Sequence, residues 1–161
     1  MKQIHALLIT LVAAVWSTTL VAADNPGEGA TVSWQVSVVP ADAKPGDEVE
    51  VVFAADITPG WILYSSDFKL EIGPLPTRFT FDANPGLKLV GAIQPVKPQW
   101  KNDRSLGGKY SYFSGHAEFR QKARLVAPLA TVSGRINGQT CYEENGLCKL
   151  FGESFSTHPP K

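Results

Sequence analysis

The chain has 161 residues, 15 Lys and Arg against 15 Asp and Glu, and a hydrophobic fraction of 43%. Because there is no basic excess, the composition argues against a nucleic-acid-binding protein, and a charged fraction of only 19% argues against intrinsic disorder. The 12 Pro and 14 Gly indicate many turns. The length fits a single domain with a substantial core.

The N-terminus has the pattern of a secretory signal peptide. A short basic start containing Lys2 precedes the apolar run of residues 6–15, and Val21-Ala22-Ala23 has the small-residue pattern that signal peptidase cleaves. The run is shorter than the roughly 20 residues that span a bilayer. We therefore expect a signal peptide at 1–23 and an exported, soluble domain at 24–161, with no membrane insertion after cleavage.

Apolar residues alternate with polar ones along most of the remaining chain, which predicts half-buried β-strands. Turn signals such as Pro59-Gly60 and Asn145-Gly146 separate the segments, and no window shows a helical stripe. This pattern predicts a single all-β domain, an immunoglobulin-like two-sheet β-sandwich. The predicted strands are residues 31–39, 48–53, 61–65, 77–82, 87–94, 110–114, 117–126, 131–137 and 153–156.

Two segments do not fit the strand pattern. Residues 97–109 are polar and contain Gly107-Gly108, so we expect a long loop of the kind that often has a functional role. An ordinary connection without such a role is the alternative. The tail from Thr157 to Lys161 is expected to fray.

Known catalytic and metal-binding motifs are missing from the sequence. It has no Gly-x-Ser-x-Gly elbow, no phosphate-binding glycine loop and no His-Glu-x-x-His motif. His116 follows Gly115 and is expected to lie in a bend between strands, with no identifiable catalytic partner. We therefore predict no cofactor and no metal site.

The two cysteines, Cys141 and Cys148, are the one chemically specific feature. Export favours a disulfide, and the Asn145-Gly146 turn would place the pair across the base of a hairpin. So short a ring adds only about 2.5 kcal/mol of stability. Lys149 would favour a thiolate at Cys148, whereas Glu143 and Glu144 would disfavour one nearby. The residues alone leave a redox-active and a structural disulfide equally open.

Several sequence blocks in order resemble the N-terminal periplasmic domain of the thiol:disulfide interchange protein DsbD. The resemblance spans nearly all of the mature chain. The blocks are Pro45-Gly46-Asp47-Glu48-Val49-Glu50-Val51-Val52-Phe53, Pro59-Gly60-Trp61-Ile62-Leu63-Tyr64-Ser65, Gly73-Pro74-Leu75-Pro76-Thr77-Arg78-Phe79-Thr80-Phe81, Ala117-Glu118-Phe119-Arg120-Gln121-Lys122 and Gln139-Thr140-Cys141 with Cys148 after a short loop.

The resemblance implies roles for individual residues. Cys148 would form the mixed disulfide with a partner, and Cys141 would resolve it. Tyr64 would line the cysteine site, whereas Trp61 is expected to be a core aromatic. A cap loop would shield the pair, with Tyr110 or Trp100 supplying the aromatic cover that this loop lacks. By position the cap comprises Asn102, Asp103, Arg104, Ser105, Leu106, Gly107, Gly108 and Lys109.

The resemblance also implies a periplasmic protein-disulfide reductase component. Its cysteine pair would accept electrons from a separate thioredoxin-like or membrane-embedded thiol donor and reduce disulfides of oxidised periplasmic client proteins, with no cofactor. Besides the missing aromatic residue of the cap, two features differ from the family: the six residues between the cysteines, and the Lys149-Leu150-Phe151 continuation in place of prolines. The alternatives are a non-enzymatic immunoglobulin-like interaction module with a structural disulfide, and a chaperone-like binder that uses a strand edge.

Overall fold

The computed structural model describes residues 29–128 and 131–157, which form eleven β-strands and, within those two ranges, no helix. The predicted signal peptide and residues 158–161 of the predicted frayed tail lie outside the described residues. The strands are β1 (Val32–Val39), β2 (Glu48–Ile57), β3 (Trp61–Tyr64), β4 (Arg78–Phe81), β5 (Leu87–Leu89), β6 (Gln94–Pro95), β7 (Gln99–Asp103), β8 (Gly108–Ser114), β9 (His116–Leu125), β10 (Val132–Tyr142) and β11 (Cys148–Thr157).

The strands form two antiparallel sheets, which confirms the predicted all-β sandwich. The first sheet has the order β1-β2-β9-β5, and β6 also pairs with β9. The second has the order β11-β10-β3-β8-β7, and β4 also pairs with β10. The sheets pack face to face because alternate residues of each strand are apolar, so each sheet has one face to bury.

The main core lies between the sheets and is rich in aromatic side chains. Phe53 and Phe119 from the first sheet are fully buried and both contact Phe79, with ring centroids 4.6 Å and 5.0 Å away respectively. Trp61 of β3 is 2% exposed in the same cluster, as expected of a core aromatic. The burial of these large apolar side chains supplies most of the driving force for folding.

The strand predictions are correct in position but differ in extent. The structure extends β2, β10 and β11 beyond the predicted segments, and it divides the predicted strand 87–94 into β5 and β6. Backbone hydrogen bonds to a neighbouring strand keep the chain extended beyond the segments in which the alternation of apolar and polar residues predicted a strand.

The predicted long loop at 97–109 is wrong. Residues 99–103 form β7, which pairs with the start of β8 from Gln99 opposite Tyr112 to Asp103 opposite Gly108. Only residues 104–107 turn, and Gly107 has a positive φ of 73° there. The segment is therefore a β-hairpin at the edge of the second sheet.

Within the described part of the chain, no helix is long and apolar enough to cross a membrane.

Candidate functional site

A disulfide joins Cys141 and Cys148 at the end of the β10–β11 hairpin that carries the connecting loop. The two residues are directly opposite in the strand register, with Cα atoms 4.0 Å apart. The loop between them closes through the amide of Gly146, which donates to the carbonyl of Tyr142, and Gly146 has a positive φ of 71°. A glycine adopts this conformation without steric cost, so the Asn145-Gly146 signal sets the register that pairs the cysteines.

The two cysteines differ sharply in accessibility. Cys141 is 5% exposed, whereas Cys148 is exposed to solvent, with Leu147 beside it 42% exposed. Cys141 lies on an inner strand between β11 and β3, while Cys148 begins the edge strand β11. An incoming thiolate can therefore reach the sulfur of Cys148 more readily than that of Cys141.

Cys141 is buried because a second apolar cluster covers it on the outer face of the second sheet. We call this the disulfide-side cluster. Strand alternation places its sheet residues on the face opposite the main core. Its buried members are Ile62, Tyr64, Phe68, Tyr110 and Cys141, and Leu70, Leu106 and Tyr112 pack against them.

The loop of residues 66–76, which follows β3, supplies part of this cover. Phe68 packs on the ring of Tyr110, with centroids 6.1 Å apart. The Ser111 hydroxyl donates to a carboxylate oxygen of Asp67, which fixes the start of the loop to β8. At the far end, the amide of Thr77 donates to the carbonyl of Ser65 at 3.1 Å. These bonds hold the loop over the sheet at both ends.

The tip of the β7–β8 hairpin supplies the other part of the cover. The amide of Ser105 donates to Asp103 Oδ1 at 2.9 Å, and the Ser105 hydroxyl donates to the same oxygen. The Ser105 hydroxyl and amide lower the pKa of Asp103 by stabilising its carboxylate. This tight turn presents Leu106 to the disulfide-side cluster. A cleft of about 400 Å³ separates residues 69–72 from residues 104–107.

Tyr64 lies in the middle of the cluster and is 7% exposed. Its ring is 5.4 Å from that of Tyr110 and 6.3 Å from that of Phe68. Burial raises the pKa of Tyr64 to about 12, and the charges of Tyr110 and Asp103 add to this effect. Its phenol is therefore neutral at physiological pH.

Gln139 contacts the buried sulfur directly. It lies two residues before Cys141 on the same face of β10, and its Nε2 donates to Cys141 Sγ at 3.5 Å. Its Oε1 accepts from the backbone amide of Leu75 at 2.9 Å. The side chain thus connects the 66–76 loop to the disulfide.

Lys149 does not act on Cys148 as its position in the sequence predicted. Neighbouring residues of a strand point to opposite faces, so the Lys149 side chain leaves the disulfide face. Its Nζ lies 5.5 Å from the centroid of the Trp61 ring and donates to the carbonyl of Gly29 at 3.3 Å. The prediction of a lysine-stabilised thiolate at Cys148 is therefore wrong.

His116 begins β9 directly after the bend at Gly115, as expected, and its Nδ1 is 3.2 Å from Asp56 Oδ1. Both side chains are mostly exposed, and they lie on the first sheet, whereas the disulfide is on the second. Among the described residues, no group of three or more His, Cys, Asp or Glu is placed to hold a metal ion.

The structure brings together some of the predicted cap and lining residues and not others. Leu106, Tyr110 and Tyr64 meet Cys141 in the disulfide-side cluster. Trp100 is 55% exposed on β7 and does not supply the aromatic cover. The remaining cap positions lie at the strand ends or in the turn between them, and they are Asn102, Asp103, Arg104, Ser105, Gly107, Gly108 and Lys109.

Sequence reasoning gave no role to Phe68, Leu70 or Gln139. Phe68 and Leu70 lie in a segment whose sequence does not alternate as a strand does. Their spacing of two residues is the feature that could have indicated that both side chains point to the same side of an extended chain. In the sequence analysis Gln139 appeared only in the Gln139-Thr140-Cys141 block of the family resemblance, without a role of its own. Its contacts with Leu75 and Cys141 depend on the tertiary fold.

A family model described as the N-terminal part of thiol:disulfide interchange protein DsbD matches residues 31–159. The crystal structure of the Neisseria meningitidis DsbD N-terminal domain in the reduced form is 19% identical, with a TM-score of 0.48, and the match covers 81% of this chain and 91% of that one. The N-terminal periplasmic domain of ScsB from Proteus mirabilis is 12% identical, with a TM-score of 0.48, over 80% of this chain and 51% of that one.

No curated protein matches the chain. The family model, however, covers far more than half of the sequence, including both cysteines and every described strand. The resemblance identified from the sequence blocks is thereby confirmed. The chain belongs to the family of DsbD N-terminal domains.

Proposed function

We propose that the Cys141–Cys148 pair carries out thiol-disulfide exchange in the periplasm. It takes electrons from a thioredoxin-like or membrane-embedded dithiol donor and passes them to disulfides of oxidised client proteins. The observation that carries this proposal is the asymmetry of the disulfide, with one sulfur exposed and the other buried against a cluster. A disulfide that only stabilises the fold does not need such an arrangement.

Reduction of the pair begins at the exposed sulfur. The donor thiolate attacks Cys148 Sγ, the Cys141–Cys148 bond breaks, and its electron pair leaves on Cys141, which takes up a proton. The second thiolate of the donor then attacks the donor sulfur of the mixed disulfide. Cys148 is released as a thiolate and the donor departs as a disulfide.

Delivery of electrons to a client reverses these roles. The Cys148 thiolate attacks a client disulfide, forms a mixed disulfide and releases one client thiolate. The Cys141 thiolate, held next to Cys148 by the strand register, then attacks Cys148 Sγ and releases the second client thiolate. The client has gained two electrons, and the pair is again a disulfide.

The disulfide-side cluster supports a preference for protein partners over small oxidants in this scheme. Leu106, Tyr64 and Tyr110 belong to the cluster that includes Cys141, whereas Cys148 is exposed to solvent. In our proposal the cluster restricts small oxidants at Cys141, while a protein partner approaches at Cys148. The 102–109 segment, a β-hairpin tip in this structure, acts as the cap.

The test is to trap the mixed disulfide in single-cysteine variants, with glutathione disulfide as the probe. Reduced Cys141→Ser should form a stable adduct with one glutathione on Cys148, and reduced wild type should pass through it to the internal disulfide. Reduced Cys148→Ser should react far more slowly because its remaining thiol is buried. Equal adduct formation in both variants, or no internal disulfide in the wild type, would favour the interaction module with a structural disulfide.

A further inference from the structure

The hydrogen bond from the Leu75 backbone amide fixes which end of the Gln139 side-chain amide is the oxygen and which is the nitrogen. The backbone amide of Leu75 can only donate, so the end of the Gln139 side chain that it meets at 2.9 Å must be the acceptor Oε1. Nε2 is therefore directed at Cys141 Sγ, 3.5 Å away. The donor is fixed in place before any reaction begins.

A hydrogen-bond donor next to Cys141 Sγ stabilises the negative charge that this sulfur acquires when the disulfide breaks. A disulfide sulfur is neutral and accepts hydrogen bonds only weakly, whereas a thiolate is an anion and accepts them strongly. Cys141 also belongs to a cluster of aromatic and aliphatic side chains that includes Tyr64, Phe68 and Ile62. Such an apolar environment disfavours a thiolate, so a single aligned N–H has a large effect there.

We propose that Gln139 is a catalytic residue of the exchange reaction, whose Nε2–H stabilises the thiolate that forms on Cys141 when a partner attacks Cys148. This inference rests on the proposed function. When the bond to Cys148 breaks, the electron pair goes to Cys141 Sγ, and the amide hydrogen bond strengthens as the charge develops. The same bond keeps a fraction of Cys141 ionised for the return attack on Cys148.

Two substitutions separate this role from that of a tether to the 66–76 loop. Gln139→Glu keeps an oxygen that accepts from the Leu75 amide, but it has no N–H and it adds a negative charge next to Cys141. Gln139→Leu removes both contacts at similar volume. Gln35→Glu, at an exposed position on β1, is the matched control.

The first measurement is the rate at which iodoacetamide alkylates Cys141 as a function of pH, in a Cys148→Ser background where no exchange takes place. Loss of one hydrogen bond to a charged group should reduce the thiolate fraction at neutral pH about tenfold in Gln139→Leu. Gln139→Glu should reduce it at least as much. The midpoint of the alkylation profile should move to higher pH in both variants and stay in place in Gln35→Glu.

The second measurement is the rate at which dithiothreitol reduces the disulfide in proteins with both cysteines. Because a more basic leaving thiol departs more slowly, both Gln139 variants should be reduced about threefold more slowly than the wild type. Thermal unfolding checks that Gln139→Glu remains folded.

The outcomes distinguish this inference from the proposed function. If Gln139→Glu matches the wild type in both measurements, Gln139 is only a tether, and the inference is overturned even when the wild-type pair exchanges. If the alkylation profile moves but the reduced wild-type pair does not react with glutathione disulfide, the proposed function fails, and the catalytic role of Gln139 fails with it.

Discussion

Cys141 and Cys148 face each other across β10 and β11 with Cα atoms 4.0 Å apart, yet only Cys141 is buried, at 5% exposure. The difference arises from the strand order, because Cys148 is on an edge strand and Cys141 on an inner one. The disulfide therefore offers one sulfur to a partner and keeps the other in contact with Gln139 and the disulfide-side cluster.

This asymmetry predicts unequal reactivity in the reduced protein. A thiol must be accessible to solvent before it reacts with iodoacetamide, and Cys148 is exposed whereas Cys141 is buried. We expect Cys148 to be alkylated at least about tenfold faster than Cys141. Mass spectrometry of the two cysteine peptides after short exposures measures the ratio. Equal rates would mean that the cluster does not cover Cys141 once the disulfide is reduced.

The hairpin tip should control access to the buried side of the disulfide. Leu106→Ala removes a half-buried side chain from the cluster, so iodoacetamide should alkylate the Cys141 thiol of the reduced protein faster. We expect a loss of about 1–2 kcal/mol in unfolding free energy, below the range for a fully buried leucine. Leu89→Ala, at a residue 40% exposed on the first sheet, is the control. An alkylation rate at Cys141 that changes no more than in the control would argue against a cap.

The cysteine pairing was predictable from the sequence, but the hairpin tip that covers Cys141 was predicted as part of a loop. The Asn145-Gly146 turn sets a local register, and that register decides which residues face each other. β7, in contrast, is a mostly exposed edge strand without apolar alternation. Its strand conformation depends on backbone hydrogen bonds to β8, and such bonds do not require any particular order of apolar and polar side chains.

The disulfide-side cluster was predictable only in part. The family resemblance indicated Tyr64 and the 102–109 segment. Phe68, Leu70 and Gln139 were missed because their contacts join segments far apart in the chain. Lys149 was misinterpreted because closeness in sequence does not bring a side chain close when adjacent strand residues point to opposite faces.

The disulfide should contribute modestly to stability. It closes a ring of only eight residues, counting both cysteines, so its loss should cost about 2.5 kcal/mol in the chain-entropy estimate. The main core around Phe53 and Phe119 contains neither cysteine. Urea unfolding of oxidised protein and of the Cys141→Ser/Cys148→Ser double variant measures the difference. A double variant that is unfolded without urea would show that the disulfide is a structural requirement.

Tyr64 should ionise late in an alkaline titration. Burial raises its pKa from 10.0 to about 12, so the folded state keeps the proton that the unfolded state releases. Stability from this group is fully present below pH 10 and is lost as the pH rises towards 12. The tyrosinate absorbance should show a step near pH 12 that disappears in Tyr64→Phe and persists in Tyr112→Phe. A Tyr64→Phe curve that differs from the wild type by a step near pH 10 instead of near pH 12 would contradict burial of the phenol.

The most direct test of the account is the reduction potential of the Cys141–Cys148 pair, measured by equilibration against defined thiol buffers. Exchange requires that donors can reduce the pair and that clients can oxidise it. The account therefore predicts a value between about −180 and −270 mV, the interval between protein disulfide isomerase and thioredoxin. A value below about −300 mV is typical of a structural disulfide and would contradict a role in electron transfer.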